Sequence, residues 1–160
     1  LNISSQPPAF RDYIFIYYFG TISNKLFDAL FLFARKQKLK LIKMGSPDRR
    51  FDVNLINSPK EFIRYFSNAK FIFTNTFHGC VFSVLFNKQF ITDGLNKKKV
   101  QDFIDRYNLH SQFLTEVNAT TIEAKFKNLI NYQDINEEIN KDRNISLRFL
   151  TEILNRGFAE

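Results

Sequence analysis

The chain has 160 residues, 44% hydrophobic and 24% charged, which matches a soluble globular protein and suffices for one domain with its own core. Its net charge of +7 suits an anionic substrate, an acidic polymer or an anionic membrane surface as well as a solvated basic face, and no zinc-finger or RNP pattern favours nucleic acid. The single cysteine, Cys80, excludes an internal disulfide and a cysteine metal site, and no apolar run nears the ~20 residues that cross a bilayer.

Residues 1–12, with Pro7-Pro8, read as an extended lead-in. Tyr13 to Phe19 is a β-branched and aromatic run that predicts a buried strand. Gly20 to Asn24 is a turn, with Ser23 or Asn24 as the helix cap. Leu26, Phe27, Leu30, Phe31, Phe33 and Ala34 recur at helical spacing, and the basic stretch Lys36 to Lys40 closes that helix. Leu39 to Met44 is a second strand, and residues 45–57 form a polar loop carrying Arg49 and Arg50.

Ser58-Pro59-Lys60-Glu61 has the form of a capping box with proline at the first helical position, and Phe62, Ile63 and Phe66 form the buried stripe behind it. Phe71 to Phe73 is a third strand and Lys88 to Thr92 a fourth, with an apolar helix between them. Val100, Phe103, Ile104 and Tyr107 mark another helix. A short one runs from Thr120 or Thr121 to Ile130, and a last from about Asp142 to Arg156 behind a solvated stretch, Asn136 to Arg143. Strands alternating with helices predict an α/β, Rossmann-like parallel sheet with helices on both faces. With 20 Phe and no Trp, aromatic packing should dominate its core. The sequence holds no G-x-G-x-x-G fingerprint for a dinucleotide.

The most informative stretch is Phe71-Ile-Phe-Thr-Asn-Thr-Phe-His78-Gly-Cys-Val-Phe82. Thr74, Asn75 and Thr76 interrupt an apolar run, and His78 and Gly79 open a helix directly after them. Open α/β sheets bind ligands at such a strand-to-helix turn. Unpaired N–H groups of the first helical turn favour an anion there, and a histidine adds a group that titrates near neutrality. The competing assignment for His78 is a capping or core histidine. Cys80, flanked by Val81 and Phe82, reads as a buried helix residue rather than a nucleophile. Glu61 belongs to the capping box, and His110 and the Arg49-Arg50 pair to the solvated surface. Tyr17, Tyr18 and Asn24 either face the cleft or pack. The sequons at Asn2, Asn118 and Asn144 read as chance in an Asn-rich chain.

The segment Ser58-Pro-Lys-Glu-Phe-Ile, then Asn68-Ala-Lys-Phe-Ile-Phe-Thr-Asn-Thr-Phe-His78-Gly, then Phe82-Ser and Phe86-Asn-Lys-Gln-Phe90 resembles the polysaccharide pyruvyl transferase family. Lys99-Val100 with Phe103-Ile104 and Leu109, and Arg143, Ser146 and Phe149-Leu150 near the end, are similar to its later segments. The resemblance spans about Tyr13 to Leu154 and is most specific over residues 58–90. It implies one lobe, residues 13–156, of a two-lobe enzyme arranged like GT-B glycosyltransferases. The chain would be the C-terminal lobe, with the N-terminal lobe absent. A first residue other than Met agrees with a fragment.

The resemblance implies transfer of a pyruvyl group from phosphoenolpyruvate to a sugar of a surface polysaccharide or exopolysaccharide, forming a pyruvate ketal. No cofactor or metal is needed. It assigns His78 the catalytic role and Thr74, Asn75, Thr76, Gly79 and Lys99 the substrate-binding one, with Gly79 admitting the ligand closely. Lys99 stands where the family usually has arginine, and Lys97, Lys98, Arg49 or the other lobe are further candidates for the cation. The implied acceptor is a sugar or lipid-linked oligosaccharide. The expected setting is cytoplasmic, with room for association at the inner membrane face and for a homodimer. Two other readings remain at this level: a GT-B-like glycosyltransferase lobe using a nucleotide sugar, and a non-catalytic glycan-binding lobe.

Overall fold

The computed structural model describes residues 8–55 and 58–157. The chain divides into two compact units, Leu1–Ile130 and Asn131–Glu160. The first contains strands β1 (Tyr13–Tyr17), β2 (Lys40–Met44), β3 (Val53–Leu55), β4 (Phe71–Thr74) and β5 (Phe90–Thr92). Its helices are α1 (Asn24–Lys36), α2 (Pro59–Asn68), α3 (Phe77–Leu85), α4 (Lys98–Arg106) and α5 (Ala119–Lys127), with a 3₁₀ turn at His110–Gln112.

All pairings are parallel, in the order β3-β2-β1-β4-β5. The strands step outward from β1 to β3 and resume on the other side of β1 at β4. The order therefore reverses between β1 and β4, and this reversal opens a crevice at the carboxyl ends of those two strands. The sheet is the α/β, Rossmann-like one that the alternation of segments predicts, with helices on both faces.

β1 is covered on both sides, which is why Tyr-Ile-Phe-Ile-Tyr shows no polar alternation. Ile14 and Ile16 share one core with Leu30 and Phe33 of α1 and Ile122 and Phe126 of α5. On the opposite face the Phe15 ring meets Phe66 of α2 at 5.6 Å between centroids, and Phe66 meets Phe82 of α3 at 5.9 Å. Burying the Phe15 and Phe66 rings stabilises by about 2 kcal/mol each, and their edge-to-face contact adds roughly 1.

Three helices of this unit end in one motif. The residue after the C-cap is left-handed at Lys38 (φ 56°), Asn87 (φ 51°) and Asn108 (φ 51°). The next amide reaches back five residues each time: Leu39 N to Ala34 O at 2.8 Å, Lys88 N to Ser83 O at 2.7 Å, and Leu109 N to Ile104 O at 2.9 Å. These are Schellman ends, which turn the chain sharply back towards the sheet.

Several expected boundaries move. β3 lies in what the sequence suggests is loop, because three half-exposed residues are too few to show a period. β1 stops at Tyr17, since Tyr18 and Phe19 turn away to form the crevice rim. α2 starts at Pro59 as expected, but Ser58 makes no side-chain cap bond, so the capping box does not form. Glu61 instead pairs with Arg64 at 3.3 Å. α5 ends at Lys127, short of Ile130. Arg50 is not simply solvated, as its bonds below show. Residues 1–7 of the lead-in, including Asn2 and Pro7, lie outside the described residues, as do Ile56 and Asn57 of the polar loop. Pro8 to Asp12 hold no helix or strand.

The second unit is helix α6 (Tyr132–Gly157). It begins ten residues before the expected Asp142, and so includes the stretch Asn136 to Arg143. Ile145, Phe149, Leu150, Ile153 and Leu154 all stay exposed. Among the described residues no helix is long and apolar enough to cross a membrane.

Candidate functional site

The turn from β4 to α3 lies at the reversal, and its polar residues are bonded to the end of β1. Thr74 Oγ1 donates to the Tyr17 carbonyl at 2.7 Å and accepts from Thr76 N at 3.1 Å. With the Thr74 proton committed there, the 3.0 Å contact between the two threonine hydroxyls runs from Thr76 to Thr74. Thr76 Oγ1 in turn caps α3 by accepting from Gly79 N at 2.9 Å. Both hydroxyl protons are engaged, one by the end of β1 and one within the turn, and both side chains are buried. Their role here is to fix the geometry of the turn.

Asn75 clasps Phe19. Its Nδ2 donates to Phe19 O at 2.8 Å and its Oδ1 accepts from Phe19 N at 3.0 Å. The pairing imitates a strand neighbour just past the end of β1. It holds the Phe19 ring in the crevice, although that ring is 60% exposed. Gly20 follows with φ 94°, a conformation that needs glycine.

Gly79 has no room for a side chain. A Cβ there would fall on Thr74 Oγ1, 2.7 Å from Thr74 Cβ and 2.8 Å from Thr76 Oγ1. The close approach at this glycine is thus made by the protein's own threonines. His78, one residue earlier, is exposed and makes no side-chain hydrogen bond among the described residues. Only the edge of the Phe77 ring stands by it, at 5.6 Å between centroids. It is neither a core nor a capping histidine, since Thr76 provides the cap.

His78 borders a cleft of about 510 Å³. The end of β1 contributes Tyr17 and Phe19, and the end of β2 contributes Met44. Ser58, Pro59, Phe62 and Ile63 come from the start of α2, and Phe82 lies one helical turn beyond His78 on α3. The rings touch as a wall: Tyr17 to Phe19 at 5.3 Å, Tyr17 to Phe62 at 4.9 Å, and Phe62 to Phe82 at 5.1 Å. Among the described residues the lining has no Lys, Arg, Asp or Glu. Of the expected site residues only His78 lines it. Helical spacing marks Phe62 and Ile63 as a buried stripe, and that pattern does not distinguish core from cleft wall.

Lys99 is exposed in the first turn of α4, at the same carboxyl edge of the sheet but outside the cleft lining. Lys97 is exposed beside it, and Lys98 pairs with Asp102 at 2.7 Å. Arg49 is exposed, whereas Arg50 ties its loop to the start of α1. Arg50 Nη2 donates to Asp48 Oδ2 at 2.7 Å and to Ile22 O at 2.9 Å, and Nη1 to Asn24 Oδ1 at 2.9 Å. Hydrogen bonds from Arg50 hold the Asp48 carboxyl below its ordinary range. Asn24 is thereby a structural partner and not a cleft residue.

On the face of the sheet that α1 covers, Tyr18 donates to Asp93 Oδ2 at 2.8 Å and stacks on Phe73 at 6.1 Å. Burial, reinforced by Asp93, pushes its phenol up to about 12. Cys80 is buried in α3, and that burial pushes its thiol up to about 11, so it stays protonated and unreactive. His110 is exposed, 3.5 Å from Asp105. No group of three or more His, Cys, Asp or Glu able to hold a metal occurs among the described residues.

Among solved structures, S. aureus MnaA in a co-structure with UDP is similar at 15% identity with a TM-score of 0.49. The similarity covers 83% of this chain and 38% of that one, so this chain spans well under half its length. No curated protein matches the chain. The sequence profile of one family, polysaccharide pyruvyl transferase, matches residues 5–92, from the lead-in through β5 and across the whole β4–α3 turn. That match covers more than half of the sequence, and the chain belongs to the polysaccharide pyruvyl transferase family.

Proposed function

We propose that this chain is a lobe of an enzyme that moves the pyruvyl group of phosphoenolpyruvate onto a sugar, closing a ketal across two hydroxyls. The observation that supports it most is His78: an exposed imidazole without a protein partner, at the switch point of the sheet, inside the matched segment.

The chemistry requires a proton delivered to carbon. Protonation of the methylene of phosphoenolpyruvate leaves an oxocarbenium-like centre at C2. A sugar hydroxyl adds there and loses its proton, and the C2–O bond to phosphate breaks. A second hydroxyl adds to the renewed cation, loses its proton and closes the ring. One proton enters at carbon and two leave the hydroxyls, so the second is carried off on phosphate. An imidazole suits the first transfer, because its ordinary titration lies near neutrality. The α3 amides and the exposed Lys97 and Lys99 at the same edge are suited to the donor's anionic groups. The other lobe of the enzyme would complete the enclosure, and the acceptor would be a sugar carried on a lipid or polymer.

The test is calorimetric titration of phosphoenolpyruvate into this chain, beside His78→Ala and with a nucleoside diphosphate as control. Phosphoenolpyruvate binding that His78→Ala abolishes, without a response to nucleotide, is the expected result. Nucleotide binding that depends on His78, with no response to phosphoenolpyruvate, would overturn the donor and favour a nucleotide-sugar transferase.

A further inference from the structure

Resting on the pyruvyl-transfer reading, we infer that the aromatic cleft beside His78 holds the uncharged sugar acceptor and not the phosphoenolpyruvate. Charge decides the assignment first. The donor carries a carboxylate and a phosphate, and the described lining offers no lysine or arginine to pair with them. Burying such an anion against aromatic walls would leave it unpaired at large cost. A pyranose is uncharged, and one face of it is largely C–H.

Shape agrees. About 510 Å³ lies within the range of small-molecule sites and exceeds what a three-carbon donor fills. The Tyr17 ring meets Phe19 at 65° and Phe62 at 58°, so the wall offers ring faces in more than one orientation to the C–H face of a pyranose. Phe19 is held there by Asn75 rather than by burial of its own ring.

Ser58 gives a separate indication. It stands at the N-cap of α2, where a serine normally bonds an amide of the first turn, yet its hydroxyl makes no such bond and the residue is among those that line the cleft. A hydroxyl in that position is available to a sugar hydroxyl. His78 lines the same cleft. The imidazole would then stand beside the acceptor hydroxyl that adds to the donor.

Saturation-transfer NMR on this chain tests the assignment with two neutral probes, methyl β-D-galactopyranoside and N-acetylglucosamine, and with UDP as competitor. Transfer concentrated on the C–H protons of one ring face is expected, falling about tenfold in Phe19→Ala as a stacking partner is lost and falling again in Ser58→Ala. Both side chains are at least partly exposed, and a thermal melt confirms that each variant is folded. No transfer from either sugar, transfer indifferent to both substitutions, or displacement of sugar by UDP would each overturn the acceptor assignment. The phosphoenolpyruvate titration separates the two readings. Donor binding without sugar transfer defeats only the acceptor cleft, and sugar transfer without donor binding defeats only the donor.

Discussion

Asn75 and Phe19 meet through both polar groups of the Phe19 backbone, at 2.8 and 3.0 Å. This clasp joins the β4–α3 turn, where the histidine stands, to the rim past β1, where the aromatic wall begins. Asn75→Ala should cost about 1–2 kcal/mol in a urea titration, the range for losing a buried hydrogen-bonding partner. Asn75→Asp should cost at least as much at neutral pH, because a carboxylate oxygen would then face the Phe19 carbonyl. A variant as stable as the parent in both cases would show that the clasp contributes nothing.

Lys38 is the exception among the three Schellman ends. Asn87 and Asn108 tolerate the left-handed region, whereas a lysine there suffers from its Cβ. Lys38→Gly should raise stability by about 0.5–1 kcal/mol, with the gain partly offset by the greater freedom of glycine in the unfolded chain. The melting temperature reports it, and no change in sugar or donor binding should accompany it.

The fold was legible where burial is one-sided or total. The β1 run and the α1 stripe follow from side-chain periodicity alone. β3 was not legible, because its three residues carry no period, and neither was the early start of α6 at Tyr132, whose first turns mix Asn, Glu and isolated isoleucines. At the candidate site, the Thr-Asn-Thr interruption before His78-Gly79 marked the turn that borders the cleft. The parts played by Thr74 and Asn75 depend on the carbonyls of Tyr17 and Phe19, more than fifty residues away. Only the strand order brings those together. The cleft wall was hidden for a similar reason, since Phe62 and Phe82 occupy positions where a core and a ligand demand the same side chain.

His78 should be separable from the fold. Its exposure and lack of hydrogen-bonded partners place His78→Ala within about 0.5 kcal/mol of the parent in stability. A loss of several kcal/mol on urea unfolding would show instead that the imidazole serves packing, and would remove the support it gives to catalysis.

Tyr18 should make the chain sensitive to alkali. Its folded-state phenol titrates near 12, above the ordinary value of 10. A raised phenol keeps its proton in the native state while the unfolded chain loses it. The stabilisation is therefore complete below pH 10 and is lost as the pH rises through about 12. Two units correspond to roughly 2–3 kcal/mol. Urea midpoints at pH 9.5 and 11.5 should fall less in Tyr18→Phe than in the parent. The other tyrosines raised by burial, Tyr13 and Tyr17 among them, are present in both proteins and cancel from the difference.

Gly79 distinguishes two explanations of one residue. A glycine beside a ligand leaves room for that ligand, whereas here the space is taken by Thr74 and Thr76. Alanine would gain helix propensity of about 1 kcal/mol. It would also push Thr74 Oγ1 from the bond to Tyr17 O that fixes the turn. Overpacking typically costs about 1–3 kcal/mol, so Gly79→Ala should be net destabilising. In a Thr74→Ala background, where the obstructing oxygen is gone, the same substitution should cost less, and the difference is the coupling between the two sites. If the cost is unchanged while phosphoenolpyruvate binding is lost, the glycine serves ligand approach and the threonine is incidental. Strong coupling would mean that the His78-Gly79 pair has a divided purpose: the glycine lets the turn close on itself, and the closed turn presents the histidine.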